Sequence, residues 1–213
     1  MLRALLDAIA PPRCAGCGRA GHEFCPVCRL RIAETPLTKR RDVDGVGLIL
    51  ALGAYDGPLR QAILACKYQN RRDVAVSLGA LIAARVSPGG EVLVPVPLHP
   101  ARLAARGYNQ ARLLAAALAL GWRRLARESR LELADALCRV RATSPQSELH
   151  LGARETNVRD AFAAGPQARV VACRRVVLVD DVVTTGATLR ACAQVLRACG
   201  ARSIMAICAA AKL

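Results

Sequence analysis

Aromatic side chains are scarce in this chain: Phe, Tyr and Trp make up 3% of its 213 residues. An apolar core must therefore be assembled from Ala, Val and Leu, and base stacking against a nucleic acid is expected to be limited. Acidic residues are few as well, 16 against 31 basic ones, for a net charge of +15. That balance points to polyanionic partners such as nucleic acid, phosphorylated small molecules or an anionic membrane surface. Lysine occurs only at positions 39, 67 and 212, so almost all the positive charge is arginine. Long apolar runs are absent; the best, Leu113 to Leu120, is far too short to span a bilayer. Hydrophobic residues still make up 54% of the chain. That excludes disorder and leaves material for one medium domain with a small appendage.

Cysteine, by contrast, is abundant. Six of the ten (Cys66, Cys138, Cys173, Cys192, Cys199 and Cys208) are scattered in apolar surroundings and read as small buried hydrophobes. So many unpatterned thiols imply a reducing compartment, the cytoplasm. The other four form two CxxC knuckles, Cys14-Ala-Gly-Cys17 and Cys25-Pro-Val-Cys28, which can supply four thiolates to one tetrahedral ion. Gly16, Gly18 and Gly21 permit the turns that gather the sulfurs. Zinc suits four soft ligands with no open position, so a structural zinc is expected on Cys14, Cys17, Cys25 and Cys28. Binding it would lower the net charge to about +13. Two disulfides conflict with the inferred compartment, an iron–sulfur cluster would use the same ligands, and His22 reads as a surface residue.

Residues 1–45 are expected to form an N-terminal helix (Leu2, Leu5, Leu6 and Ile9 at helical spacing, ended by Pro11-Pro12), the four-Cys module and a polar linker, Thr38 to Asp44. The helix is expected to pack on the protein's own body, with peripheral membrane contact as the second reading. From 46 to 213, β-rich runs alternate with Ala/Leu/Arg-rich helical runs, the pattern of an α/β domain with a largely parallel sheet flanked by helices. The expected strands are Val46–Ala54, Val92–Val96, Leu133–Val140, Val176–Val179 and Ser203–Ala209. The expected helices are Pro58–Cys66, Asp73–Val86, Gly107–Ala119 and Ala187–Cys199.

The most informative stretch is Val176-Val-Leu-Val-Asp-Asp-Val-Val-Thr-Thr-Gly-Ala-Thr188. It reads as a buried strand, two acids at its carboxyl end, a small hydroxyl-rich loop, then a helix. Ligands of open α/β sheets bind outside the carboxyl ends of strands, and a helix start offers free N–H groups to a phosphate. The stretch resembles the phosphoribosyl pyrophosphate (PRPP) motif of type I phosphoribosyltransferases. The resemblance implies that Asp180 and Asp181 bind the ribose hydroxyls, that Thr184, Thr185, Gly186, Ala187 and Thr188 bind the 5′-phosphate, and that Mg²⁺ accompanies PRPP. Purine-salvage members carry an acid where Thr184 stands, so 6-oxopurine salvage is not expected.

A second stretch runs Val94-Pro-Val-Pro-Leu-His-Pro-Ala-Arg-Leu-Ala-Ala-Arg-Gly-Tyr-Asn-Gln110. In the same fold the equivalent loop receives pyrophosphate, and guanidinium groups pair bidentately with phosphate, so Arg102 and Arg106 are the candidate catalytic residues, with His99 a further donor. Together with the CxxC pair, Cys66-Lys67-Tyr68 and the residues Thr143, Gln146, Leu149, Arg154, Asn157 and Phe162, this stretch resembles the ComF family of competence proteins over essentially the whole chain. Its members are implicated in DNA uptake during natural transformation, in handling single strands at the cytoplasmic side of the inner membrane. The resemblance further implies a mobile loop over Thr143–Phe162 that closes on PRPP through Arg154, Asn157 and Arg159. Lys67, beside Asn70, Arg71 and Arg72, is expected to reach pyrophosphate or nucleic acid, and Arg112, Arg123, Arg124, Arg127 and Arg130 add a second basic run. Single-strand binding should be mostly electrostatic and salt-sensitive.

Three functions compete. The expected one is a PRPP-binding, transferase-like DNA-uptake protein with single-stranded DNA and proteins of the uptake machinery as partners. The second is an active phosphoribosyltransferase on an unidentified acceptor. The third, a non-catalytic zinc-ribbon scaffold, is opposed by the intact motif. A base-recognising hood is not expected after the last strand, and the N-terminal module could serve instead.

Overall fold

The computed structural model describes residues 11–87, 92–125, 131–141 and 160–212. The expected N-terminal helix lies outside these residues, as do Arg154, Asn157, Arg159, Arg127 and Arg130.

The β-branched and Ala-rich runs form a sheet in the order β1-β2-β8-β7-β3-β4, with β1 (Thr38–Arg40), β2 (Ile49–Ala51), β3 (Val92–Pro95), β4 (Glu132–Leu133), β7 (Arg175–Val183) and β8 (Ser203–Ala211). All pairings are parallel except β1 with β2. A parallel sheet is covered on both faces, so its strands read as continuous apolar runs. Val176 to Val179 are accordingly all buried, with Val177 and Val179 in one core and Val176 and Leu178 in the other. The first core is closed by helices α1 (Pro26–Glu34), α2 (Gly57–Tyr68), α3 (Arg72–Arg85) and, after a short α4 (Pro100–Arg106), α5 (Gln110–Leu125). The second is closed by α6 (Ala187–Ala198) and by a two-stranded antiparallel sheet, β5 (Leu137–Arg139) with β6 (Phe162–Ala164).

From β3 the chain runs through α5 to β4 on one side, and from β7 through α6 to β8 on the other. The connections diverge between β3 and β7, and a cleft at the carboxyl ends of such strands is where an α/β sheet binds ligands.

Several expectations change in detail: the strand read over Val46–Ala54 is confined to Ile49–Ala51, and the strand read over Val176–Val179 runs on through Asp180 and Asp181 to Val183. Thr38–Arg40, read as linker, is the edge strand β1, because extended pairing with β2 satisfies its backbone. Leu133–Val140 is two strands in two sheets. The chain leaves β4 at Ala134–Ala136, where Asp135 N–H is taken by Gln167 Oε1 at 2.6 Å. The expected helix Gly107–Ala119 is split from a preceding turn of helix. His99 caps α4 by accepting from Ala101 N–H through Nδ1 at 3.3 Å, and Gly107 ends it at φ 78°, a left-handed conformation that glycine adopts without strain.

The cysteine module packs into the first core: Cys14, Phe24, Cys25, Cys28 and Ile32 join Leu59, Ile63 and Leu78. Two arginines latch it there. Arg71 donates to Arg13 O (3.1 Å) and Glu23 O (2.5 Å) while paired with Asp73 at 2.9 Å. Arg85 donates to Ile32 O (3.3 Å) and Thr35 O (2.7 Å). Among the described residues no helix is long and apolar enough to cross a membrane.

Candidate functional site

A cavity of about 390 Å³ opens at the carboxyl ends of β3, β7 and β8, within the range typical of small-molecule sites. Six cationic side chains (Arg60, Lys67, Arg102, Arg106, Arg139 and Lys212) and two carboxylates, Asp180 and Asp181, line it. The excess of positive charge suits an anionic ligand.

The strand period of two places the carboxylates. Asp181 keeps the parity of Val177 and Val179 and reaches the α2–α5 layer, where Lys67 Nζ stands 2.9 Å from Oδ1 and Gln110 Nε2 donates to Oδ2 at 2.6 Å. Asp180 keeps the parity of Val176 and Leu178 and faces the layer of Arg139 and Cys192, whose titrations it influences. Asp181 is 6% exposed. Burial, then the neighbouring Asp181 charge, push the Asp180 carboxyl up to about 7, against the Asp181 N–H, Lys67 and Arg139, which favour ionisation. Burial disfavours the Lys67 ammonium, but Asp181 and then Asp180 outweigh it and raise that group.

The residues of Arg106-Gly-Tyr-Asn-Gln110 each hold one part of this arrangement. Arg106 Nη1 donates to Gln110 Oε1 at 2.6 Å, which turns the Gln110 amide nitrogen toward Asp181. The Tyr108 hydroxyl donates to Cys66 O and so anchors α2 beside α5. Asn109 caps α5 by accepting from Ala111 N–H at 2.9 Å and donates to Val96 O at 3.0 Å, pinning the loop after β3. Arg102 and Arg106, four apart on α4, both line the cavity.

The loop from Thr184 to Thr188 leads into α6. Gly186 has φ 82°, and a side chain there would overlap Val43. Thr185 Oγ1 accepts from Ala187 N–H at 3.4 Å. Gly186 itself supplies no side-chain cap to α6, and a helix start is a place where main-chain N–H groups can meet a phosphate. Arg40 of β1, paired with Asp42 at 2.6 Å, donates to Thr184 O and braces the loop from outside.

The structure thus brings together Asp180, Asp181, Thr184, Thr188, Arg102, Arg106 and Lys67 on one cavity. Lys67, expected on pyrophosphate or nucleic acid, spends its charge on Asp181. His99 is committed to capping α4. Of the adjoining basic patch, Arg71 is a latch and Arg72 stacks on Tyr108 at 4.9 Å. Sequence reasoning missed Arg139, Arg40 and Gln110 as site residues. The resemblance already contained Gln110, but nothing local marked Arg40 or Arg139.

In the N-terminal module Cys14, Cys17, Cys25 and Cys28 place their sulfurs within 4.8 Å of one another, a group that can hold a metal ion. The Cys17 and Cys25 sulfurs are 3.8 Å apart; a tetrahedral ion with ~2.3 Å bonds to sulfur holds its ligands ~3.8 Å apart. Backbone N–H groups of Gly16 and Cys25 point at Cys14 Sγ, both at 3.3 Å. Burial pushes the Cys14 thiol up, but the N–H donors of Cys25, Gly16 and Cys17 outweigh it and hold the group down to about 6. Burial and the neighbouring sulfurs of Cys25, Cys17 and Cys14 push the Cys28 thiol up. His22 is exposed and outside the group.

Residues 106–213 match the family described as "Phosphoribosyl transferase domain". The chain is 32% identical over 209 residues to "DNA utilization protein YhgH" of Salmonella typhimurium, covering 92% of this chain and 88% of that protein. It is 30% identical over 201 residues to "Competence protein F" of Haemophilus influenzae, covering 91% and 82%. Among solved structures, a glutamine phosphoribosylpyrophosphate amidotransferase from B. subtilis aligns with a TM-score of 0.41 at 20% identity over 68% of this chain. The chain spans 30% of that protein's length.

Proposed function

The chain belongs to the phosphoribosyl transferase domain family, alongside Competence protein F and DNA utilization protein YhgH, and from that premise we propose that it binds PRPP in the cavity over β3 and β7 as a transferase-like protein of DNA uptake. The observation that carries this reading is the junction of a carboxylate pair, a hydroxyl-rich helix start and an arginine pair on one cavity.

Each part has a chemical role. The N–H groups and hydroxyls of Thr184 to Thr188 hold the 5′-phosphate. Asp180 accepts from a ribose hydroxyl, while Asp181, with Lys67 and Gln110 on its two oxygens, shapes the ribose floor. Arg102 and Arg106 take the pyrophosphate, whose charge grows as its bond to the ribose C1 breaks and the acceptor's bond forms. The family resemblance assigns Arg154, Asn157 and Arg159, which lie outside the described residues, to shielding the ligand from water. Mg²⁺ would neutralise pyrophosphate charge; it prefers ligand phosphates with one or two protein carboxylates, and the carboxylates on this cavity are Asp180 and Asp181.

The four cysteines hold a structural zinc, since four thiolates leave no open position for chemistry. The net charge of +15 and the relatives' names, DNA utilization protein and Competence protein F, support DNA as a macromolecular partner; single strands, uptake-machinery proteins and the cytoplasmic side of the inner membrane rest on the family resemblance. Calorimetric titration with PRPP and Mg²⁺ tests the reading. Wild type should bind, and an Asp180→Asn/Asp181→Asn double variant should not; no binding by folded, metal-loaded wild type refutes it.

A further inference from the structure

The six aromatic residues of this chain are not spread evenly between core and surface. Phe24, Tyr108, Trp122 and Phe162 are buried. The other two, Tyr55 and Tyr68, both line the cavity. Tyr68 is 73% exposed, the most of any large hydrophobic side chain among the described residues. A ring left that far in water contributes little to the fold, and the chain has few aromatics to leave there.

The position is set by helix geometry. Arg60, Leu64, Lys67 and Tyr68 lie at i, i+4, i+7 and i+8 of α2 and therefore share a face. All four line the cavity. Lys67 is fixed on Asp181 at 2.9 Å, so the part of this face on either side of it adjoins the carboxylate pair. The Arg60 guanidinium stands 5.9 Å from the Tyr55 ring centroid, a cation on an aromatic face at the same wall.

We propose that this face of α2 is a stacking subsite for a nucleobase, with Tyr68 and Leu64 against the ring and Arg60 toward the phosphate that accompanies it. The chemistry selects the ligand class. Aromatic and aliphatic side chains beside cations recognise a planar ring attached to an anion, and base stacking tolerates any sequence because every base has a π-face. A purely apolar ligand is disfavoured by six cationic side chains around the same opening. The subsite rests on the PRPP reading only for what lies beside the ring, namely the ribose end of the bound ligand. The base belongs either to an unpaired strand or to a free nucleotide.

The test uses the full chain and three ligands: a fluorescent oligothymidylate strand, an abasic strand of the same length, and thymidine 5′-monophosphate. Wild type should prefer the base-bearing strand to the abasic one by about 5-fold or more, since one stacked base contributes that much. Tyr68→Ala should erase the preference, Tyr68→Phe should keep it, and the urea unfolding midpoint should be the same in all three proteins. If the strands bind equally but the mononucleotide binds in a Tyr68-dependent way, the ligand is a free nucleotide and the subsite stands. If Tyr68→Ala changes neither strand preference nor mononucleotide binding, the proposal is overturned. Failure of wild type to bind PRPP would remove the reading of the neighbouring ribose site and leave the strand measurement as it is. Tyr68 is exposed, so its replacement does not open the core.

Discussion

Lys67 Nζ sits 2.9 Å from Asp181 Oδ1, an ion pair at the floor of the cavity that joins α2 to the carboxyl end of β7. The Lys67 side chain keeps 21% of its surface accessible, at the cavity. It is thus a resident cation beside two adjacent carboxylates, and it reduces the repulsion that would otherwise oppose their ionisation.

Removing that cation should be costly. Lys67→Met leaves Asp181 buried beside Asp180 without its counter-charge. Breaking one partner of a buried pair typically costs about 3 kcal/mol or more. Urea unfolding should show a loss of about that size, and PRPP affinity should fall with it. A variant as stable as wild type would mean that the pair is neutralised in another way.

The Asp180 carboxyl, held up to about 7 from 3.8, gives a pH dependence of definite sign. Between those values the folded state binds more protons than the unfolded one, so this group's contribution to stability declines as pH rises from about 4 to about 7. Ligand binding should run the other way, because a ribose hydroxyl donates best to the ionised carboxylate. PRPP affinity should therefore strengthen through pH 7, and Asp180→Asn should flatten both profiles. Calorimetry and urea midpoints across that range check it.

The arrangement Arg106–Gln110–Asp181 fixes the amide of Gln110 from both ends. Gln110→Glu places a third carboxylate against Asp181 and removes its donor. PRPP affinity should fall by about tenfold, the effect of a lost charge-assisted hydrogen bond of ~1.5 kcal/mol. Gln110→Ala should fall less, because it adds no charge. Equal affinities for the three proteins would show that Gln110 has no part in shaping the site.

Metal removal should be felt beyond the module. Cys14, Cys25 and Cys28 pack in the same core as Leu59 and Ile63 of α2. One zinc per chain is expected by atomic absorption, and Cys14→Ser should lose it. Chelation should lower the urea midpoint and weaken PRPP binding together, through the α2 wall that carries Lys67. Unchanged PRPP binding by the metal-free protein would separate the module from the site.

Arg71 tests the latch. It reaches Arg13 O and Glu23 O while paired with Asp73, and each hydrogen bond from a charged donor contributes about 1.5–3 kcal/mol. Arg71→Ala should raise hydrogen exchange within residues 13–25 with little change elsewhere. Salt-dependent binding of single strands should be unaffected, since this guanidinium is turned inward.

What the sequence determined by itself is what lies within one contiguous segment. The run Val176–Thr188 shows strand, loop and helix in order, with the two acids inside the carboxyl-terminal half of the strand, because a parallel strand buried on both faces must be apolar and a phosphate loop must be small and hydroxyl-bearing. Two CxxC knuckles show a four-sulfur group for the same local reason. The tertiary structure decided which distant cations and amides complete the site. Gln110 meets Asp181 across 71 positions and Arg40 braces Thr184 across 144. A long side chain on an amphipathic helix or an edge strand has the same local pattern whether it faces water or a carboxylate. Only the packing of α2 and α5 on one face of β7, and of β5 and α6 on the other, sends Asp181 to Lys67 and Asp180 to the layer of Arg139.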